Sequence, residues 1–113
     1  MPYIRISITK KVGVEKREEL VRDTMDCIKS LPGKSPERLM VHIEDESVIY
    51  RGGAPAECAF VQLIFQKPLE VADQKVFIES MYDVLEKRFG LASNQVYFAM
   101  VDVDVWGSNG TLR

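Results

Sequence analysis

The apolar pattern of the first half of the chain returns in the second half, shifted by 57 positions. Ile4, Ile6 and Ile8 recur as Val61, Leu63 and Phe65; Leu20, Val21 and Ile28 recur as Phe77, Ile78 and Leu85; Leu39 and Val41 recur as Val96 and Phe98. Amphipathic patterns often coincide by chance, but Gly33 falls on Gly90 and Asp45 on Asp102 at the same shift. A helix-ending glycine in register with strands on both sides predicts an internal duplication. The chain of 113 residues then reads as a single domain, 1–113, built of repeats over about 1–56 and 57–113, long enough to bury its own core.

Each repeat reads strand, helix, strand. Ile4, Ile6 and Ile8 alternate with Arg5, Ser7 and Thr9, the period of a strand with one apolar face. From Val14 to Leu31 the residues Leu20, Val21, Met25, Ile28 and Leu31 recur at helical spacing, and Pro32-Gly33 stops the helix. A second strand follows near Leu39 to Glu44. Gly52-Gly53-Ala54-Pro55 marks a loop, and Cys58 to Phe65 is a nearly continuous apolar run suited to a strand covered on both faces. A second helix is predicted over Val71 to Phe89, closed by Gly90, and a fourth strand over Val96 to Val103, before a short tail from Trp106.

A right-handed crossover makes the two strands of each half parallel and sets its helix on one face of the sheet. The expected fold class is α/β, or more narrowly α+β, with duplicated βαβ units, a four-stranded mixed sheet and two helices on one face. The third and fourth strands read as apolar on both faces, so the face without helices needs another copy of the chain against it. An oligomer is expected.

Composition removes several functions. Fifteen basic residues against seventeen acidic leave a formal charge of −2, so no broad positive field exists to gather nucleic acid. No stretch reaches the roughly 20 apolar residues of a membrane span, and Met1-Pro2-Tyr3-Ile4-Arg5 meets a charge before a signal-peptide core; a cytoplasmic address is expected. Cys27 and Cys58 form no C-x-x-C pair and read as small buried hydrophobes, and no metal site is expected. His42, the single histidine, sits on a strand between Val41 and Ile43 and reads as structural. No triad, H-E-x-x-H, P-loop or G-x-G-x-x-G sequence is present, and no cofactor is expected. Arg51-Gly52-Gly53 looks like one RNA-binding repeat, but on this acidic chain it reads as a turn.

Pro2 remains. A first strand position tolerates proline for structural reasons alone. Once Met1 is removed, as is ordinary before proline, the nitrogen becomes a secondary amine on a rigid strand; if Met1 stays, it is an amide with no basic lone pair. An α-amino group starts near a pKa of about 7.7–8.0, and burial or a nearby cation lowers it by disfavouring the protonated form. A general base works best near the working pH, so a small shift suffices. Lys34 is the natural cation.

Several segments together resemble the macrophage migration inhibitory factor (MIF) family of the tautomerase superfamily: Pro2-Tyr3-Ile4, Gly33-Lys34-Ser35-Pro36 leading into Val41-His42-Ile43, Gly52 to Ala59, Val96-Tyr97-Phe98, and Trp106 to Leu112. The resemblance implies a homotrimer with one pocket at each subunit boundary, and cofactor-free keto–enol tautomerisation of a small-molecule 2-oxo acid such as phenylpyruvate. It implies that Pro2 carries the proton, that Lys34 binds substrate oxygen, and that Tyr97 is donated by a neighbouring copy. Gln66 and Trp106 are further candidates for contact with substrate. At the offset of 57, Pro2 falls on Ala59 and Lys34 on Leu91, so one pocket per chain is expected.

The chain also departs from the family's pattern. Phe65-Gln66-Lys67 stands where relatives usually read Ser-Ile-Gly, Ala99 where many have asparagine, and Arg38 where an aromatic residue is common. A guanidinium at Arg38 would grip a second carboxylate, favouring a dicarboxylate over an aromatic acid. Three alternatives stay open: a superfamily hydratase, dehalogenase or decarboxylase, in which Arg38 or Arg51 takes part; a non-catalytic trimeric binding or signalling protein; and a ferredoxin-like module with the same element order.

Overall fold

In the computed structural model, which describes residues 2–113, strand β1 (Pro2–Ile8) buries Ile4, Ile6 and Ile8 completely and turns Tyr3, Arg5 and Ser7 to its other face. Met1, and with it the expectation that it is removed, lies outside the described residues. Helix α1 (Val14–Ile28) covers β1 with Leu20, Thr24, Cys27 and Ile28. It stops three residues short of the predicted Leu31, because the amides of Lys29, Ser30 and Leu31 bond back to Asp26, Cys27 and Ile28 and wind the last turn tighter than an α-helix. Leu31 is buried all the same.

A 3-10 turn (Pro36–Arg38) leads into β2 (Met40–Glu44), which runs parallel to β1 with Met40 opposite Tyr3. A hairpin follows, β3 (Tyr50–Arg51) against β4 (Ala54–Pro55). The second half then repeats the plan with β5 (Ala59–Gln66), α2 (Val71–Phe89), a 3-10 turn (Ser93–Gln95), β6 (Val96–Val103), and a hairpin of β7 (Gly107–Ser108) and β8 (Thr111–Leu112). Of the loop expected at 52–55, Gly52-Gly53 is the turn of a hairpin and Ala54-Pro55 one of its strands, and the tail expected after Trp106 contains a second hairpin. Gly52-Gly53 and Asn109-Gly110 both hold two successive positive φ angles, the geometry whose twist suits a two-residue hairpin.

The duplication extends to these small elements. The paired strands begin at Pro2 and Ala59, the helices at Val14 and Val71, the 3-10 turns at Pro36 and Ser93, and the hairpins at Tyr50 and Gly107, each 57 positions apart. Within each half the parallel partner lies 37 positions on, Met40 for Tyr3 and Val96 for Ala59. The sheet order is β2-β1-β5-β6, with β1 and β5 antiparallel at the centre.

Between the sheet and the two helices lies the core. Phe65, Phe77, Met81, Leu85 and Leu63 are fully covered there, each worth roughly 1.5–3 kcal/mol in apolar burial. The opposite face carries no helix. On β5 it is mixed rather than wholly apolar, since Gln62 and Gln66 alternate with Phe60 and Ile64. On β6 it leaves Tyr97 and Val101 exposed. Among the described residues no helix is long and apolar enough to cross a membrane.

Candidate active site

Pro2 is buried at the start of a central strand, where the missing N–H interrupts little of the ladder, and it lies opposite Phe65 of β5. Lys34 approaches the same place from the turn after α1. Gly33, at a φ of 74°, bends the backbone in a way a side chain would strain, and the Lys34 amide closes the turn onto the Leu31 carbonyl. From there Nζ donates a 2.7 Å hydrogen bond to the Gln66 carbonyl and lies 6.0 Å from the centre of the Phe65 ring. Phe65 and Gln66 therefore connect Pro2 with Lys34. Desolvation pushes the Lys34 pKa below the ordinary lysine value, and among the described residues no carboxylate pairs with it.

Gln66 does two jobs. Its carbonyl receives Lys34, while its side-chain amide donates to the carbonyls of Asp104, at 3.1 Å, and Arg113, at 3.0 Å. The amide nitrogen is thus committed to the C-terminal hairpin. Trp106 and Arg113 exchange backbone hydrogen bonds of 2.9 Å at the base of that hairpin, and Trp106 is half-buried. Lys67 pairs with Asp102 and Asp104 and helps fasten the same strand end.

Arg38 closes the 3-10 turn two positions before Met40, so it stands at the end of the sheet where Pro2 begins. It is exposed, and among the described residues it has no ion-pair partner. Glu37 instead accepts from the Ser35 hydroxyl at 2.9 Å, and Glu44 is taken by Arg5. Pro2, Lys34, Arg38, Gln66 and Trp106 therefore gather at one end of the sheet.

Tyr97 does not join them. It pairs with Phe60, whereas Phe65, opposite Pro2, pairs with Asp102 five positions further along β6. At ~3.3 Å per residue this separation is roughly 16 Å. Its ring packs instead against the Arg51 guanidinium, 5.3 Å from Cζ to the ring centre.

The remaining chemistry is structural. His42 receives the Tyr3 hydroxyl at Nδ1 over 2.7 Å and reaches Glu44 from Nε2 over 3.4 Å. Both cysteines are free and buried, and burial, with help from Asp23, Asp26 and Asp83, pushes the Cys27 thiol up to about 11. No group of three metal-ligating side chains is found among the described residues. A cleft of about 430 Å³ beside Lys34 is walled by Pro32, Leu69, Glu70 and Asp73 and does not include Pro2. Its two carboxylates would repel an anionic ligand.

Sequence reasoning missed the Phe65 ring and Gln66 carbonyl as the link between Pro2 and Lys34, because that contact depends on antiparallel pairing across the two repeats. It also missed the hairpin that Gln66 fastens, although Asn109-Gly110 is a strong hairpin signal.

No protein-family model matches the chain, and no curated protein matches it in sequence. Solved structures match its fold. Leishmania major MIF2 is 19% identical with a TM-score of 0.90, over 100% of this chain and 97% of its own. The R7 fused 4-OT asymmetric trimer is 13% identical with a TM-score of 0.86, over 96% of this chain and 94% of its own. Pt0534, solved after inactivation by 2-oxo-3-pentynoate, is 17% identical with a TM-score of 0.85, over 96% and 93%. At such identities the likeness is one of fold: this chain has the fold of the MIF and 4-OT proteins.

Proposed function

We propose that this chain is a member of the MIF family and a cofactor-free keto–enol tautomerase for a small 2-oxo acid such as phenylpyruvate, acting as a homotrimer in the cytoplasm. The observation that carries the reading is the meeting of buried Pro2 with a partly buried lysine, which pairs with no carboxylate among the described residues, at Phe65 and Gln66. The neighbours support it by fold, one of them being a trimer and another having been inactivated by an unsaturated 2-oxo acid.

With Met1 removed, the Pro2 nitrogen takes a proton from the carbon next to the substrate carbonyl. Negative charge then builds on the carbonyl oxygen, and the Lys34 ammonium, partly withdrawn from water, stabilises it more than a fully solvated lysine would. Return of the proton from Pro2 to that oxygen gives the enol, and the reverse sequence gives the ketone. The same ammonium keeps the Pro2 amine neutral by disfavouring its protonated form. Tyr97, remote from Pro2 within one chain, reaches the pocket from a neighbouring copy.

The test is ketonisation of enol phenylpyruvate by wild type and Pro2→Gly, with intact mass establishing the first residue of each preparation. A general base contributes about 10²–10⁴-fold, and a loss in that range is expected. Equal rates from trimmed preparations would sink the reading. A second reading keeps the mechanism and changes the acid: the unpaired Arg38 at the same end of the sheet favours a substrate with a second carboxylate. Arg38→Leu should then raise KM for a dicarboxylic keto acid and leave phenylpyruvate unaffected.

A further inference from the structure

A second pocket opens at the other end of the sheet. It measures about 200 Å³, the volume of roughly seven liquid waters, and besides Arg51 its walls include Tyr50, Cys58, Ala59, Phe60, Tyr97 and the polar Gln95. Arg51 is the one charged residue that lines it. The guanidinium is held on two sides, by the Tyr97 ring 5.3 Å from Cζ and by a 2.6 Å hydrogen bond from Nη1 to the Asn94 carbonyl. Among the described residues no carboxylate pairs with it, although the chain carries 17 acidic residues. Arg51 is exposed, and a guanidinium has five N–H donors, so most remain free to meet a ligand.

The duplication gives this pocket a meaning. At the offset of 57, Ala59 is the counterpart of Pro2 and Arg51 of Ser108, so the pocket is the second repeat's version of the neighbourhood of Pro2. Where the first copy has its proline, the second has a methyl group and a cation. We infer that Arg51 is the grip for the carboxylate of a small organic acid, with Tyr97 and Phe60 bounding the acid's apolar part. The inference deepens the proposed function and rests on it in one respect: in a trimer in which Tyr97 reaches the neighbour's Pro2, Arg51 travels with it and holds the substrate's acid group. A rigid fork favours a carboxylate because it can offer two parallel N–H donors.

The experiment is calorimetric titration of 3-phenylpropanoate, which has the acid and lacks the ketone, into wild type, Pro2→Gly, Arg51→Gln and Arg51→Lys, with 3-phenylpropanamide as the neutral control. Wild type should bind the acid more tightly than the amide, and so should Pro2→Gly. Arg51→Gln should weaken it by about 10–100-fold, the loss of a charge-assisted hydrogen bond, and leave the amide unchanged. Arg51→Lys should fall between, and it keeps the experiment readable if Arg51→Gln fails to fold. Undiminished affinity in either Arg51 variant, or no binding in any form, overturns the inference. The two proposals fail separately: an unimpaired Pro2→Gly ketonisation rate removes the tautomerase whatever the titration gives.

Discussion

Arg5 lies opposite Gln62 across the central β1–β5 ladder, and Gln62 is its own counterpart in the second repeat, 57 positions on. The internal two-fold axis therefore passes between these side chains. Symmetry of the backbone ends in asymmetry of charge there: Arg5 Nη2 donates to both oxygens of Glu44, at 2.9 and 2.8 Å, while the counterpart of Glu44 is Val101.

That ion pair predicts an acid-sensitive sheet edge. The Arg5 hydrogen bond holds the Glu44 carboxyl below its usual range, against some desolvation. A lowered carboxylate pKa stabilises the fold above the unfolded-state value of about 4.3 and ceases to do so as pH falls through the folded-state value. Glu44→Gln should therefore show a shallower drop in urea midpoint than wild type between about pH 6 and pH 3, at equal protein concentration. Parallel curves would remove Glu44 from the acid response.

Removing Lys34 should change the pH profile as well as the rate. Without the nearby ammonium the Pro2 amine holds its proton more tightly, so Lys34→Ala should move the acid limb of kcat/KM for ketonisation to higher pH. It should also lower the plateau by about 10–100-fold through loss of the charge-assisted contact to substrate oxygen. In wild type, the lowered Lys34 pKa should bring the alkaline limb below the ordinary lysine range. An unmoved acid limb in Lys34→Ala would separate the lysine from the base.

The side chain of Gln66 should matter to the hairpin more than to the ligand. Gln66→Leu removes two donors to the carbonyls of Asp104 and Arg113 and leaves the carbonyl that receives Lys34 in place. At about 0.5–1.5 kcal/mol per hydrogen bond, amide exchange at Trp106 and Arg113 should quicken by roughly tenfold or more, with exchange in β1 unchanged. Unaltered exchange at both residues would contradict the fastening role.

Cys27 should be inert in the folded protein. Its thiol, pushed up to about 11 chiefly by burial, carries almost no thiolate near neutrality. Iodoacetamide at about pH 8, with peptide mapping, should modify Cys27 only after denaturant is added. Rapid alkylation of the native protein would show that α1 opens to expose it.

The two repeats and their four long strands were legible because period and spacing are local properties of the sequence, and the offset of 57 was fixed by residues as far apart as Ile4 and Asp45. Apolar spacing extends α1 to Leu31, and Leu31 is buried, but its hydrogen bond reaches only to Ile28. Periodicity reports burial and not backbone winding. Pro2 and Lys34 stand out in the sequence by their chemistry, yet their connection runs through Phe65 and Gln66, and such pairing over long separations leaves no mark on either segment alone. The sequence places Arg51 in a turn, whereas it ends strand β3 and only Gly52-Gly53 turns; its contact with Tyr97 follows from the nearness of the hairpin to β6.

The peptide bond between Cys58 and Ala59 has a last consequence. Both repeats begin their first strand at equivalent positions, yet the nitrogen at 59 is an amide in mid-chain and has no lone pair to lend, whatever residue is put there. No point mutation can give the second copy a proton acceptor of the kind proposed for the first. An engineer wanting two reaction centres from this polypeptide would have to cut it open ahead of residue 59 and let the halves find each other.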